Sequence, residues 1–336
     1  MINKKTKFCK AAALLGAVVM MISALAGCGK NTKVVLTAGL KKNEVFRISS
    51  ASCVLPEVMV YLTNMQNQYE SVYGSQIWNA SDGQLSLEQE EREQVLTQLA
   101  RIKVMNLLAQ KKEVTLDDKE KERAAAAGRE YFTSLNSAEV TALNVTQDLI
   151  TKMYEEYALA EKVYQTIVEN VNPEVSDDEA RTITVDMIRV SDSAKASQVL
   201  GKAKEEGVDF ETLAQAESED QTVTQSFGKG EVSEALEKAA FNLGKDEISD
   251  VVESDGSYYI LKCISTFDEA QTKANKEKIV KQRQSEAFDT EYTAFEQTLV
   301  RQLNEELWNS VTMIHQDDVK TSSFFEVYQM YFQHQE

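Results

Sequence analysis

Thr182-Ile183-Thr184-Val185-Asp186-Met187-Ile188-Arg189-Val190 is a run of β-branched and apolar residues in which Ile183, Val185 and Met187 alternate onto one face, the period of a strand and not of a helix. The chain before it reads differently. From Pro56, Val58, Leu62, Met65, Tyr69 and Val72 recur at helical spacing as one apolar stripe. Ser86-Leu87-Glu88-Gln89 is a capping box, and Val95, Leu99, Ile102, Met105 and Ala109 carry a helix behind it to about Lys112. Thr115-Leu116-Asp117-Asp118 opens another, through the Ala124–Ala127 run to Leu135. A short helix is expected at Ser137–Leu143, and a long one over Gln147–Val171 with Ile150, Met153, Tyr157, Ala160, Tyr164 and Ile167 on one face. Pro173 punctuates the boundary, and there the period changes.

Beyond the strand, Ser193–Glu206 reads as a helix stopped at Gly207. Phe210–Ala216 and Ser233–Leu243 read as short helices, with Phe227-Gly228-Lys229-Gly230 as a turn between them. Ile248–Glu253 and Tyr258–Ser265 read as strands around Ser254-Asp255-Gly256. That order, β-α-α-α-β-β, is a small α+β domain. From Glu269 a single helix is expected to about Ile314, with Ala287, Tyr292, Phe295, Leu299, Leu303 and Leu307 on an apolar face. Such a face needs a partner, and the helices of 55–171 offer one. The expected fold is therefore α+β: a helical domain formed by both chain ends with a small α+β domain inserted. Its segments are an export signal (1–27), a tether (28–44), a helical domain (45–175), the insert (176–267), a C-terminal helix packing on the helical domain (268–315) and a tail (316–336). The tail's Phe324, Phe325, Tyr328, Tyr331 and Phe332 fit a docked helix and a frayed end equally.

Composition narrows the chemistry. The 336 residues carry 36 Lys and Arg against 54 Asp and Glu, a formal charge of −18, with only two His and two Pro. A His-rich metal site, a Ser-His-Asp hydrolase or a Cys-His protease would have to use His315 or His334. No metal or cofactor is expected. The acidic balance disfavours nucleic acid, whose binders need a basic stripe. Proline poverty argues for long helices.

Lys4, Lys5, Lys7 and Lys10 precede an uncharged run from Ala11 to Gly27, the layout of an export signal. Its ending, Leu25-Ala26-Gly27-Cys28, resembles the lipobox of bacterial lipoproteins, which implies lipidation of Cys28 and a membrane anchor on the extracytoplasmic face. Removing residues 1–27 leaves 32 basic and 54 acidic residues, a charge of −22, which repels anionic headgroups and leaves the lipid as the attachment. Cys9 departs with the signal. Cys53 and Cys263 either pair or remain buried thiols.

Residues 182–266 resemble a parvulin-type peptidyl-prolyl isomerase domain. The resemblance is carried by Asp209-Phe210-Glu211-Thr212-Leu213-Ala214, Phe227-Gly228-Lys229-Gly230, Leu236-Glu237-Lys238-Ala239-Ala240-Phe241-Asn242-Leu243, Glu247-Ile248-Ser249 and Tyr258-Tyr259-Ile260-Leu261-Lys262, in family order. With the export signal and the helical flanks, the whole chain is similar in layout to the PrsA/SurA group of extracytoplasmic foldases. The family implies two histidines on adjacent strands, a Cys or Asp beside them, and a proline pocket of one Met and two Phe. Here the histidine positions fall on Met187 and Tyr259, the Cys/Asp position on Asp220, and the pocket positions on Val232, Leu236 and Phe241; the Gly-rich lead-in is shortened to Thr224-Gln225-Ser226.

Each of these residues also has a plainer reading. Met187, Val232, Leu236 and Phe241 fit core packing, and Asp220 fits a solvated loop. Tyr259 needs a partner for its hydroxyl, for which Asp220 is the candidate. Three functions follow: a foldase of the isomerase class whose activity the two substitutions weaken or abolish, a membrane-tethered holding chaperone with a non-catalytic parvulin domain, and a transporter's solute-binding lipoprotein. The last requires two lobes of alternating strands and helices, which residues 55–171 do not offer. The first two share their partners, unfolded exported polypeptides. Monomer and homodimer are both compatible with the sequence.

Overall fold

In the computed structural model, residues 39–80 and 86–332 are described; the export signal, Cys28, most of the tether and His334 lie outside them. In chain order the elements are β1 (Glu44–Ile48), β2 (Ala51–Val54), α1 (Leu55–Tyr73), a 3-10 turn (Ser75–Asn79), α2 (Leu87–Lys111), α3 (Asp118–Ser134), α4 (Ser137–Leu143) and α5 (Gln147–Val168). Then come α6 (Asp177–Ala180), β3 (Thr182–Val190), α7 (Ser193–Ala203), α8 (Phe210–Glu217), β4 (Thr224–Gly228), α9 (Glu234–Phe241), β5 (Val252–Ser254), β6 (Ser257–Ser265) and α10 (Glu269–Glu296). β7 (Arg301–Leu303), α11 (Glu305–Asn309) and α12 (Phe324–Phe332) close the chain. Among the described residues no helix is long and apolar enough to cross a membrane.

The chain divides into two units: one takes residues up to Asn170 and again from Ala287, the other is Val171–Glu286. The two ends of the chain thus share one unit, as the fold class requires. Its helices start where side chains satisfy the otherwise orphaned first N–H groups. Ser86 with Gln89, Asp117 with Glu120, and Asn136 with Glu139 each form a reciprocal capping box. α3 packs closely on α5 because Ala124, Ala127 and Gly128 are small and buried. A Cβ on Gly128 would fall 2.3 Å from Thr151 Oγ1 and 2.9 Å from its Cα, so only glycine permits that approach.

Several expectations are corrected here. Glu44 is not the end of a tether but the start of β1, the middle strand of a three-stranded sheet ordered β2-β1-β7. These strands span three to five residues, too short to show a period. The C-terminal helix stops at Glu296 and does not reach Ile314. Leu303 pairs with Phe46 and Arg301 with Ile48, because the free edge of β1 offers the chain backbone hydrogen bonds that a continued helix could not satisfy. The tail is a docked helix: Phe324, Phe325, Val327 and Tyr328 of α12 are buried. α5 ends at Val168 and α7 at Ala203, both short of their expected limits. Cys53 and Cys263 are free and buried.

The inserted unit is a four-stranded antiparallel sheet ordered β4-β3-β6-β5. β4 was not expected; it takes in Phe227-Gly228, so only Lys229-Gly230 of the supposed turn turns, with Gly230 at φ 78°. The strand expected at Ile248–Glu253 shrinks to Val252–Ser254, with a lone bridge from Ile248 to Lys262. Asp255 and Gly256 both take positive φ, 51° and 75°, the backbone that a two-residue hairpin turn demands. Alternation on β3 sends Ile188 and Val190 to a core with α7 and α8, and Ile183, Val185 and Met187 to a second core with α9.

Two buried charge features mark the helical unit. Lys103, on α2, sits 2.6 Å from both Glu57 and Glu156. Burial pushes its ammonium down, but the two carboxylates outweigh this and hold its pKa above the ordinary value. Glu91, on the same helix, is only 1% exposed, and among the described residues neither carboxyl oxygen has a hydrogen-bond partner. Burial alone raises its pKa from 4.5 to about 7. The folded state therefore keeps a proton that the unfolded state releases near pH 4.5. Stability from this group is complete below that pH and is lost as pH rises to about 7, a change of roughly 3 kcal/mol. Glu91→Gln should unfold at a higher urea concentration than the parent at pH 8 and at a similar one at pH 4. Equal midpoints at pH 8 would mean that the carboxyl is solvated in the folded state.

Candidate functional site

The sheet gathers the residues singled out by sequence. On the α9 side of β3 and β6, Met187 stands opposite Leu261 and Arg189 opposite Tyr259, which also pairs with Val252 of β5. Met187 and Tyr259 are therefore diagonal neighbours on one face, within reach of long side chains. Val232, Leu236 and Phe241 descend on the same face from α9 and its lead-in, completing one apolar cluster with them. Met187 and Leu236 are buried, while Tyr259, Val232 and Phe241 keep part of their surface.

α9 is fixed from several directions. Ser233 caps it by accepting from the Leu236 N–H, and its hydroxyl lies 2.7 Å from that of Ser254 on β5. Phe241 meets Phe227 edge-on at 6.3 Å, with the Arg181 guanidinium 4.9 Å above its ring, a cation–π contact.

Asp220 joins this face through Arg189. Arg189 Nε donates to Asp220 Oδ1 at 2.7 Å, and its Nη1 lies 3.9 Å from Glu219 Oε2 and 3.5 Å from Ser257 Oγ. The Asp220 carboxylate, by hydrogen bond and charge, holds the guanidinium above its ordinary pKa. Asp220 is not a loose loop residue. The Glu219 N–H donates to the Arg189 carbonyl at 2.9 Å, and Ser218 Oγ accepts from the N–H groups of Arg189 and Asp220.

The expected Tyr259–Asp220 hydrogen bond is corrected: among the described residues none joins them, because Arg189 takes the carboxylate. Arg189 is the residue that sequence reasoning missed. Its signal was present, since it lies two positions after Met187 and so shares its face, a charge on a strand side that is otherwise apolar.

Chemically, this is an apolar shelf with an ion pair and a phenol at one edge. Cys263, in the same cluster, has its thiol pushed up by burial, which favours the unreactive thiol over the thiolate. The shelf suits a nonpolar ring. Its edge suits a carbonyl.

Residues 161–278 match the family of PPIC-type PPIASE domains. The foldase protein PrsA of Streptococcus pneumoniae, strains Hungary19A-6 and CGSP14, is 31% identical over 165 residues, covering 44% of this chain and 53% of the relative. The chain thus spans about half the length of the curated relatives it matches. Among solved structures, PrsA from Bacillus cereus aligns with a TM-score of 0.38 and 19% identity over 72% of this chain and 91% of that one. A structure described as one of two SurA-like chaperones of Campylobacter jejuni aligns at 0.31 and 10%, over 78% and 99%. The match takes in most of the inserted unit, which is similar to that family. The chain that carries it is similar to the PrsA foldases.

The Arg189–Asp220 pair is about 30% exposed on both sides, and pairs so placed contribute less than about 1 kcal/mol. Asp220→Ala should therefore leave the unfolding midpoint in urea nearly unchanged. A loss above about 2 kcal/mol would make Asp220 a support of the fold and not a feature of the shelf.

Proposed function

We propose that this chain is a membrane-tethered extracytoplasmic foldase that assists exported, unfolded polypeptides, anchored by lipid on Cys28, with a parvulin-type domain of weak isomerase activity. The observation that carries this reading is the convergence of Met187, Tyr259, Val232, Leu236 and Phe241 on one face of the parvulin-type sheet, with Asp220 at its edge.

Rotation about an X-Pro bond breaks no covalent bond but crosses a barrier of about 18–20 kcal/mol. A catalyst must hold the twisted bond better than either planar isomer. Val232, Leu236 and Phe241 would seat the proline ring. Tyr259 and Arg189 would lie beside the carbonyl, and Asp220 would keep Arg189 in place. The family's histidine pair is replaced by Met187, which offers no hydrogen bond of consequence, and by Tyr259. Proline binding is therefore retained while the polar grip on the twisted bond is reduced.

A proline-peptide isomerisation assay on the chain from Cys28 onward tests this. The parent should show low kcat/KM, and Met187→His with Tyr259→His should raise it by about tenfold or more, short of the 10²–10³ that one preorganised donor supplies in other enzymes. High parental activity that Asp220→Ala abolishes would contradict the weak-catalyst reading.

A further inference from the structure

Phe241, the last residue of α9, keeps part of its surface exposed, and one side chain grips it at two points. The Arg181 guanidinium lies 4.9 Å from the centre of the Phe241 ring, and its Nη2 donates to the Phe241 carbonyl at 3.3 Å. The position of Arg181 follows Phe241 more closely than any acid. Among the described residues its one ion-pair partner is Asp178, whose Oδ1 lies 3.9 Å from Arg181 Nε, beyond hydrogen-bond range. That buried Nε has no hydrogen-bond partner among the described residues. The Asp178 carboxylate instead accepts from Lys229 Nζ at 2.7 Å, and this second cation stands 6.0 Å from the same ring.

Arg181 is in turn placed by α10, which holds the residues on either side of it. Asn275 Nδ2 donates to the Ala180 carbonyl at 3.2 Å, and the Thr182 N–H donates to Thr272 Oγ1 at 3.4 Å. Asn275 reaches Ala180 past Gly228, where a Cβ would fall 2.3 Å from Nδ2 and push the carboxamide aside. α6, just before Arg181, is tied to the same helix by Lys276 on Asp177 at 2.5 Å and by Arg283 on Glu179. Phe227-Gly228-Lys229 thereby has a use at each position: Phe227 meets the Phe241 ring, Gly228 makes room for Asn275, and Lys229 pairs with Asp178.

We propose that Arg181 is a positioning residue for the proline seat, holding the ring and backbone of Phe241 ready to receive the proline, and that α10 sets Arg181 in place through Asn275 and Thr272. This rests on the reading of the shelf as a proline site and adds a residue and a helix to it. A half-exposed ring at a helix end must be ordered when a ligand packs on it, and that ordering weakens binding. A cation against its face and a hydrogen bond to its carbonyl order it beforehand. Arg181 itself touches no substrate in this arrangement.

Fluorescence anisotropy with labelled Ala-Ala-Leu-Pro-Phe, and with the same peptide carrying Ala for Pro, tests the proposal on the chain from Cys28 onward. The parent should bind the proline peptide more tightly than its alanine counterpart. Arg181→Leu should weaken the proline peptide about threefold to tenfold, the loss of one cation–π contact and one hydrogen bond, and leave the alanine peptide within about twofold. A purely structural contact would move both peptides alike or neither. Arg181→Lys keeps a cation for the ring but lacks the fork that also reaches the carbonyl, so it should recover part of the loss. Asn275→Ala alters no residue of the shelf and should weaken the proline peptide by more than about twofold. Proline-peptide affinity kept within about twofold in either Arg181→Leu or Asn275→Ala would overturn the proposal and leave the proline-site reading standing. A parent that does not distinguish the two peptides would overturn both.

Discussion

Phe324 is reached from three separate helices of the N-terminal region: Tyr61 from α1, Tyr131 from α3 and Tyr154 from α5, with Tyr154 stacked at 4.5 Å. Its N–H donates to Asn64 and its carbonyl accepts from Tyr154 Oη at 2.8 Å. A ring buried this fully contributes about 3–5 kcal/mol, by the usual cost of removing one. More importantly, the contact closes a long loop in sequence. The N-terminal helices present aromatic faces that would otherwise meet water, and Phe324, from the far end of the chain, covers this point.

Much of this architecture was legible. Stripes such as Ile150, Met153, Ala160 and Ile167 are all on the buried side of α5, because a 3.6-residue period leaves few alternatives once the spacing is set. The Ser86–Gln89 capping box marked the start of α2 for the same local reason. What could not be read depends on contacts distant in sequence. β1 and β7 are short strands that exist through each other, and Arg301-Gln302-Leu303 carries no strand signature of its own. The end of α10 at Glu296 is likewise decided by a pairing partner more than two hundred residues earlier and not by a Pro or Gly. The aromatic end of the chain was ambiguous because its anchors, Asn64 and Tyr154, are invisible to any local window.

The candidate site shows the same division. A family pattern aligned by residue type brought Met187, Tyr259, Val232, Leu236 and Phe241 to one face, since strand alternation and the position of α9 follow from local spacing. It did not reveal which polar group Asp220 faces. Arg189, brought opposite Tyr259 by strand register, takes the carboxylate and turns the edge of the shelf into an ion pair. A guanidinium stays charged across the physiological range, so this edge lacks the proton-sharing character a histidine would give it. It remains well suited to holding a peptide carbonyl.

In the function proposed above, the chain protects unfolded polypeptides and does not depend on fast isomerisation to do so. Light scattering from a chemically unfolded client diluted into buffer, with increasing amounts of the chain from Cys28 onward, tests this most directly. Such a chain suppresses aggregation near stoichiometric ratios, equally as the parent and as Asp220→Ala. Aggregation unchanged at a severalfold molar excess of the parent, or suppression lost in Asp220→Ala, would contradict it.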